Sequence, residues 1–152
     1  MAIKLGLECK LYRDNSGTWE EIGNVRYLTL NMEMGVADVT TRGGNGWRQN
    51  VATLRDGTVT FQMVYDTADA DFTALQTCFL AADADAREIK IAVLDGAIPA
   101  TGSSEPNAQG LVAFMNVTNF SEPQNLEEAV MVDVTLQPSY NATAPAWTTY
   151  TA

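Results

Sequence analysis

The chain has 152 residues, 46% hydrophobic and 18% charged, with nineteen acidic against nine basic side chains, no histidine and a formal net charge of −10. That length supports one domain with a substantial core, and the composition lacks the low hydrophobicity of a disordered chain. The nine cations are scattered, which excludes the concentrated basic footprint of a tight nucleic-acid binder. Without imidazole, the Ser-His and Cys-His nucleophile systems and the histidine zinc sites are excluded as well.

The opening segment alternates. Ile3, Leu5, Leu7, Cys9 and Leu11 fall on one side and Lys4, Gly6, Glu8, Lys10 and Tyr12 on the other, which predicts a half-buried strand. It has no unbroken apolar run or small-residue cleavage site, so a product made and kept in the cytosol is expected, and no stretch approaches the ~18 apolar residues of a membrane span. Asp14-Asn15-Ser16-Gly17 predicts a tight turn, Trp19 to Ile22 a return strand, and Arg26 to Met34 a second long strand.

Gly35 to Asn50 carries Gly43-Gly44-Asn45-Gly46, whose residues permit positive φ but bury almost nothing. The segment predicts an extended arm that its own core cannot order, with Val39, Trp47 and Val51 gaining stability only against another surface. Thr58 to Tyr65 is the cleanest strand, with Val59, Phe61, Met63 and Tyr65 on one face and an uncharged opposite face. A helix follows from about Ala68 to Ala82, capped by Thr67 or Asp69, with a stripe of Phe72, Leu75, Phe79 and Cys78 that should pack across a sheet.

Ile89 to Val93 predicts another strand, and residues 97–110, rich in Pro, Gly, Ser and Asn, a flexible connection. Leu111 to Phe120 and Ala129 to Gln137 read as a closing hairpin. The tail after Pro138 carries Tyr140, Trp147 and Tyr150 without a core of its own, so it either docks on a partner or frays. The fold class that follows is mainly β (α+β), a β-sandwich or barrel of two packed antiparallel sheets. One helix flanks it, residues 1–138 form the domain and 139–152 a C-terminal tail.

No GxSxG, GxxxxGK[ST] or GxGxxG pattern occurs, so no enzyme, cofactor or metal assignment arises from motifs. Asp69, Asp71, Asp83, Asp85 and Glu88 lack the spacing of a calcium loop and suit capping and solvation. Cys9 and Cys78 are far apart, with no CxxC, and predict two buried thiols. Asn116-Val117-Thr118 and Asn141-Ala142-Thr143 match the glycosylation acceptor pattern by chance in a chain with no secretion signal.

Five pieces in a fixed order cover most of the chain: Asp38-Val39-Thr40-Thr41-Arg42, Gly46-Trp47, the strand Val59 to Tyr65, Asp66-Thr67-Ala68-Asp69 with the Phe72 helix, and Leu126-Glu127-Glu128-Ala129 before the last strand. In these pieces the chain resembles the major tail tube proteins of long-tailed bacteriophages. The resemblance implies a virion protein that forms hexameric rings, stacked into a hollow tube through which DNA passes without specific binding. By the same resemblance its partners are copies of itself and other tail proteins such as the tape measure and terminator. Val39, Thr41, Arg42, Trp47 and Arg48 are then the expected contacts between subunits or rings, and Glu33 and Asp133, on polar strand faces, the expected lumen-facing carboxylates. The rival readings are a capsid decoration protein, the tube of a contractile machine, and a monomeric β-barrel whose Met and aromatic residues line an apolar ligand cavity.

Overall fold

The computed structural model describes residues 3–152; Met1 and Ala2, with which the expected domain begins, lie outside the described residues. In chain order the elements are β1 (Lys10–Asn15), β2 (Thr18–Glu21), β3 (Val25–Asp38), β4 (Asn50–Val64), α1 (Ala70–Leu80), β5 (Glu88–Leu94), β6 (Ala108–Ser121), β7 (Met131–Pro138) and β8 (Ala146–Tyr150). The fold is mainly β with one helix, as the alternation predicts.

The layers of the expected sandwich belong to one antiparallel sheet, ordered β2-β1-β5-β6-β7-β4-β3, with β8 also paired to β6. Its two edge strands are consecutive in sequence, joined only by Ile22, Gly23 and Asn24. Seven flat strands would hold those edges about 29 Å apart, whereas the link from Glu21 to Val25 reaches at most ~14 Å. The sheet must therefore curl, and it does so as a half-barrel around its apolar side.

That side is set by period two. Val59, Phe61 and Met63 of β4, Val132, Val134 and Leu136 of β7, and Leu111, Ala113, Met115 and Val117 of β6 are buried in one cluster with Leu11, Ile22 and Ile91. Helix α1 contributes Phe72, Leu75 and Cys78 to the same cluster. Asp69 is its cap, accepting from the Asp71 amide at 3.1 Å, and Arg87 reaches back to the carbonyls of Ala81 and Ala82 after the last turn. Phe79, expected in the stripe, is instead partly exposed and stacks on Phe120 with ring centroids 5.9 Å apart.

One buried ion pair fixes the helix to the sheet. Arg13 on β1 faces inward, donating from Nε to the Asp71 carboxylate and from Nη2 to Glu20 Oε2 at 2.9 Å. Burial pushes the Asp71 carboxyl up, against the pull of Arg13.

Four expectations need correction. Residues 3–9 do not form a strand: they are exposed, with a 3₁₀ turn at Gly6–Glu8 closed by the Leu5 amide on Glu8 Oε2, and they pair with neither of the sheet's two edge strands, so their alternation has no face to bury. Cys9 is accordingly exposed and Cys78 alone is buried. The 97–110 connection is anchored at its ends, where the Ile98 amide donates to the Tyr12 hydroxyl, Ile98 packs on a second cluster of Tyr12, Ala92, Leu94 and Ala108, and Ala108–Gly110 belong to β6; residues 101–107 between them form no regular structure. The segment after Pro138 neither frays nor stands free over its last part: Ala146–Tyr150 pairs with Ala108–Val112, and Tyr150 packs on that second cluster.

Candidate assembly surfaces

The expected arm is a projecting β-hairpin. β3 and β4 remain paired out to Asp38 and Asn50, so Gly35–Asp38 is strand and the tip is confined to residues 39–49. A bulge lies between Met34 and Val36, where a Cβ on Gly35 would meet Thr53 Oγ1 at 2.7 Å. From residue 31 to residue 43 every side chain is exposed, so ladder bonds and local polar bonds hold the hairpin, with no core beneath it.

At the tip, the Val39 amide donates to the Gln49 carbonyl at 2.9 Å and the Gln49 amide to Thr40 Oγ1 at 3.0 Å. Thr40 donates from both its hydroxyl and its amide to Asp38 Oδ1, and these bonds hold the Asp38 carboxyl below its ordinary range. Thr41, Gly44 and Trp47 are linked by successive turn bonds, with Asn45 and Gly46 at φ 52° and 83°, values that Asn and Gly adopt at little cost.

The five arm residues singled out in the sequence are thus gathered at one tip. Val39, Thr41, Arg42, Trp47 and Arg48 are all exposed, Trp47 to 77%, and neither arginine forms an ion pair with the described residues.

A second surface lies on the face of the sheet opposite the core. The register places Thr29, Asn31 and Glu33 of β3, Asp56, Thr58, Thr60 and Gln62 of β4, and Asp133, Thr135 and Gln137 of β7 on that face. Apart from Arg26 at its border, in register with Gln62, the face across these three strands is neutral or acidic. Glu33 and Asp133 share this face but not a cluster. Glu33 is in register with Asp56 and Asp133 with Gln62, which donates to it at 3.3 Å, so the two bands are about 20 Å apart along β4.

Periodicity could not reveal a third feature. β7 ends at Pro138, and β8, the next strand along β6, is not paired with β4. The outer half of the hairpin splays from β8 over an open cleft of about 680 Å³ lined by Met32, Met34, Leu54, Leu111, Pro145 and Trp147, among others. Met63 and Met115, by contrast, are core side chains. Among the described residues no three His, Cys, Asp or Glu side chains converge as metal ligands, and no helix is long and apolar enough to cross a membrane.

No family model and no curated protein matches the sequence. Solved structures do. The tail of an empty gene transfer agent particle, determined with C6 symmetry, superposes with a TM-score of 0.72 over 96% of this chain and 99% of that one, at 18% identity. The tail tube of SPP1 superposes at 0.68 over 99% of this chain and 80% of that one, at 13% identity. The chain has the tail tube fold. A chain of the native gene transfer agent virion shares it, with a TM-score of 0.66 over 96% of this chain and 99% of that one, at 17% identity. The tail tube fold thus covers 96–99% of the chain.

Proposed function

We propose that the protein is a structural subunit of a phage-type tail tube, assembling into hexameric rings that stack around a lumen for DNA. The observation that carries this reading is a tail tube fold over 96% of the chain that turns an almost cation-free sheet face away from its core.

The geometry gives the face a use. β6, β7, β4 and β3 are four successive antiparallel neighbours. An even number per copy keeps strand directions alternating across a subunit boundary, so the free edge of β3 would meet, in antiparallel sense, the part of the next copy's β6 past Asn116 that β5 leaves unpaired. Six copies supply ~24 strands, which at ~4.8 Å spacing and ~40° tilt close on a backbone diameter of about 48 Å. That bore admits duplex DNA after side chains are added.

Apart from Arg26 at the border, the Thr, Asn, Gln and carboxylate side chains on the lining offer phosphates no cation, so the counterion-release gain that makes DNA adhere is small. Glu33 and Asp133 would face the lumen, and the hairpin tip with Val39, Thr41, Arg42, Trp47 and Arg48 would contact a neighbouring subunit or ring. The protein is then non-enzymatic, resides in the virion tail after assembly in the host cytoplasm, and meets the tape measure and terminator proteins there.

Electron microscopy of the concentrated protein tests the reading. Six-fold rings or hollow rods are expected; a ring of another symmetry, or a rod without a bore, would overturn it.

A further inference from the structure

Taking the stacked-tube reading as its basis, we infer that the hairpin tip docks on the β6–β7 loop of a second copy, residues 122–130. The two surfaces are complementary in charge and apolar content. Residues 39–49 contain Arg42 and Arg48, no acid, and the exposed ring of Trp47. Residues 122–130 contain Glu122, Glu127 and Glu128, no cation, and Leu126, whose side chain is fully exposed.

Their placement makes the contact intermolecular. Asn50 begins β4 at the tip, whereas Val64 at its other end is in register with Met131, and the Tyr65 amide bonds the Val130 carbonyl. The fifteen residues of β4 therefore separate tip from loop by about 46 Å, and a copy cannot reach its own loop. The loop also keeps its shape without a partner, because Asn125 Nδ2 donates to Glu128 Oε2 at 3.1 Å and the Glu128 amide donates to the Asn125 carbonyl.

A cationic, aromatic projection at one end of the strands and an acidic, leucine-bearing loop at the other form a heterologous pair. Repeated along the strand direction it does not close, so it extends a stack. Opposite charges across such a contact select its register and disfavour tip-to-tip pairing.

Charge reversal on each side and on both sides tests the pairing. Arg42→Glu with Arg48→Glu, and separately Glu127→Arg, which leaves the Asn125–Glu128 bond in place, should each lower the yield of tubes by ~10-fold or more at a given concentration. All three changes in one chain should restore at least half the yield. In a Cys9→Ser background, Trp47→Cys with Leu126→Cys should give a ladder of disulfide-linked oligomers under mild oxidation. Thermal melting of each dissociated variant should match the unaltered chain, since all the altered side chains are exposed. Full-length tubes from both reversed variants, or no ladder from cysteine-bearing tubes, would overturn this pairing while leaving the tube reading intact. Absence of tubes from the unaltered chain, with or without other tail proteins, would overturn both.

Discussion

Replacing Trp47 by Ala separates an assembly role from a folding role. The side chain is 77% exposed and sits on a tip held by backbone turns and the Asp38–Thr40 bonds, none of which uses the indole. Its loss should change monomer stability by no more than ~0.5 kcal/mol. A tryptophan buries 150–250 Å² when covered, of which roughly 150 Å² remains available here, worth about 4 kcal/mol at ~25 cal/mol per Å² for complete coverage. Half coverage gives about 2 kcal/mol, a ~30-fold rise in the concentration at which tubes appear. Sedimentation of assembled against free protein over a concentration series measures that threshold, with thermal melting of the free protein as the control. An unchanged threshold would refute the tip as a contact; a collapse of the melting temperature would refute the separation of tip from fold.

Three further outcomes concern the fold and the tip. A Cβ on Gly110 would lie 1.8 Å from the Val93 carbonyl oxygen, so Gly110→Ala should cost about 3 kcal/mol or more in urea unfolding, while Gly23→Ala, with open space around it, should be near neutral. Arg13→Leu should destabilise the chain by about 2–4 kcal/mol at pH 7, because it leaves Asp71 buried without its counter-ion. An acid whose folded pKa is raised penalises folding above that value and not below its unfolded 3.8, so part of the Arg13→Leu loss should return as pH falls toward 4; a deficit that grows there would contradict this. The Asp38 carboxyl is shifted the other way, so its support of the tip is complete above 3.8 and is lost as pH falls through a lower folded value. The Thr40 amide resonance should titrate with a midpoint below 3.8, and a midpoint above it would refute the bond.

The central strands and the helix were legible because each buries one face: the alternation in β4 and β7 and the Phe72–Leu75–Cys78 spacing are the solvent's imprint on the sequence. The same reasoning failed at residues 3–9, where the alternation is as clean but no edge within the chain accepts it. It also underestimated β3 and β4. Their outer halves bury no face, so composition reads them as loop, although cross-strand bonds continue to Asp38 and Asn50. β8 escaped because Ala146–Tyr150 is short and follows Pro145, and its partner on β6 lies more than thirty residues earlier. The tip residues were singled out from exposure-prone composition and resemblance, and the structure exposes all of them. The splay over Met32 and Trp147 depends on where β7 happens to stop, which no local pattern records.

The polar face permits a test of the bore that does not disturb assembly. Glu33 lies on the exposed part of β3, where its carboxylate accepts from Asn31 Nδ2 on the same strand at 3.3 Å, and its register partner is Asp56. Glu33→Lys therefore relieves a like-charge pair across the strands and should leave the monomer as stable or slightly more so. In the proposed ring it changes the lining by +2 per copy, +12 over six copies, and places an ammonium beside each passing phosphate. Each cation that meets a phosphate adds a counterion-release gain that strengthens as salt falls. Tubes should therefore form normally while particles carrying the variant release DNA more slowly, with the defect largest at low ionic strength. Release at the unaltered rate across salt concentrations would place Glu33 outside the lumen and turn the neutral face of β3, β4 and β7 toward some other surface.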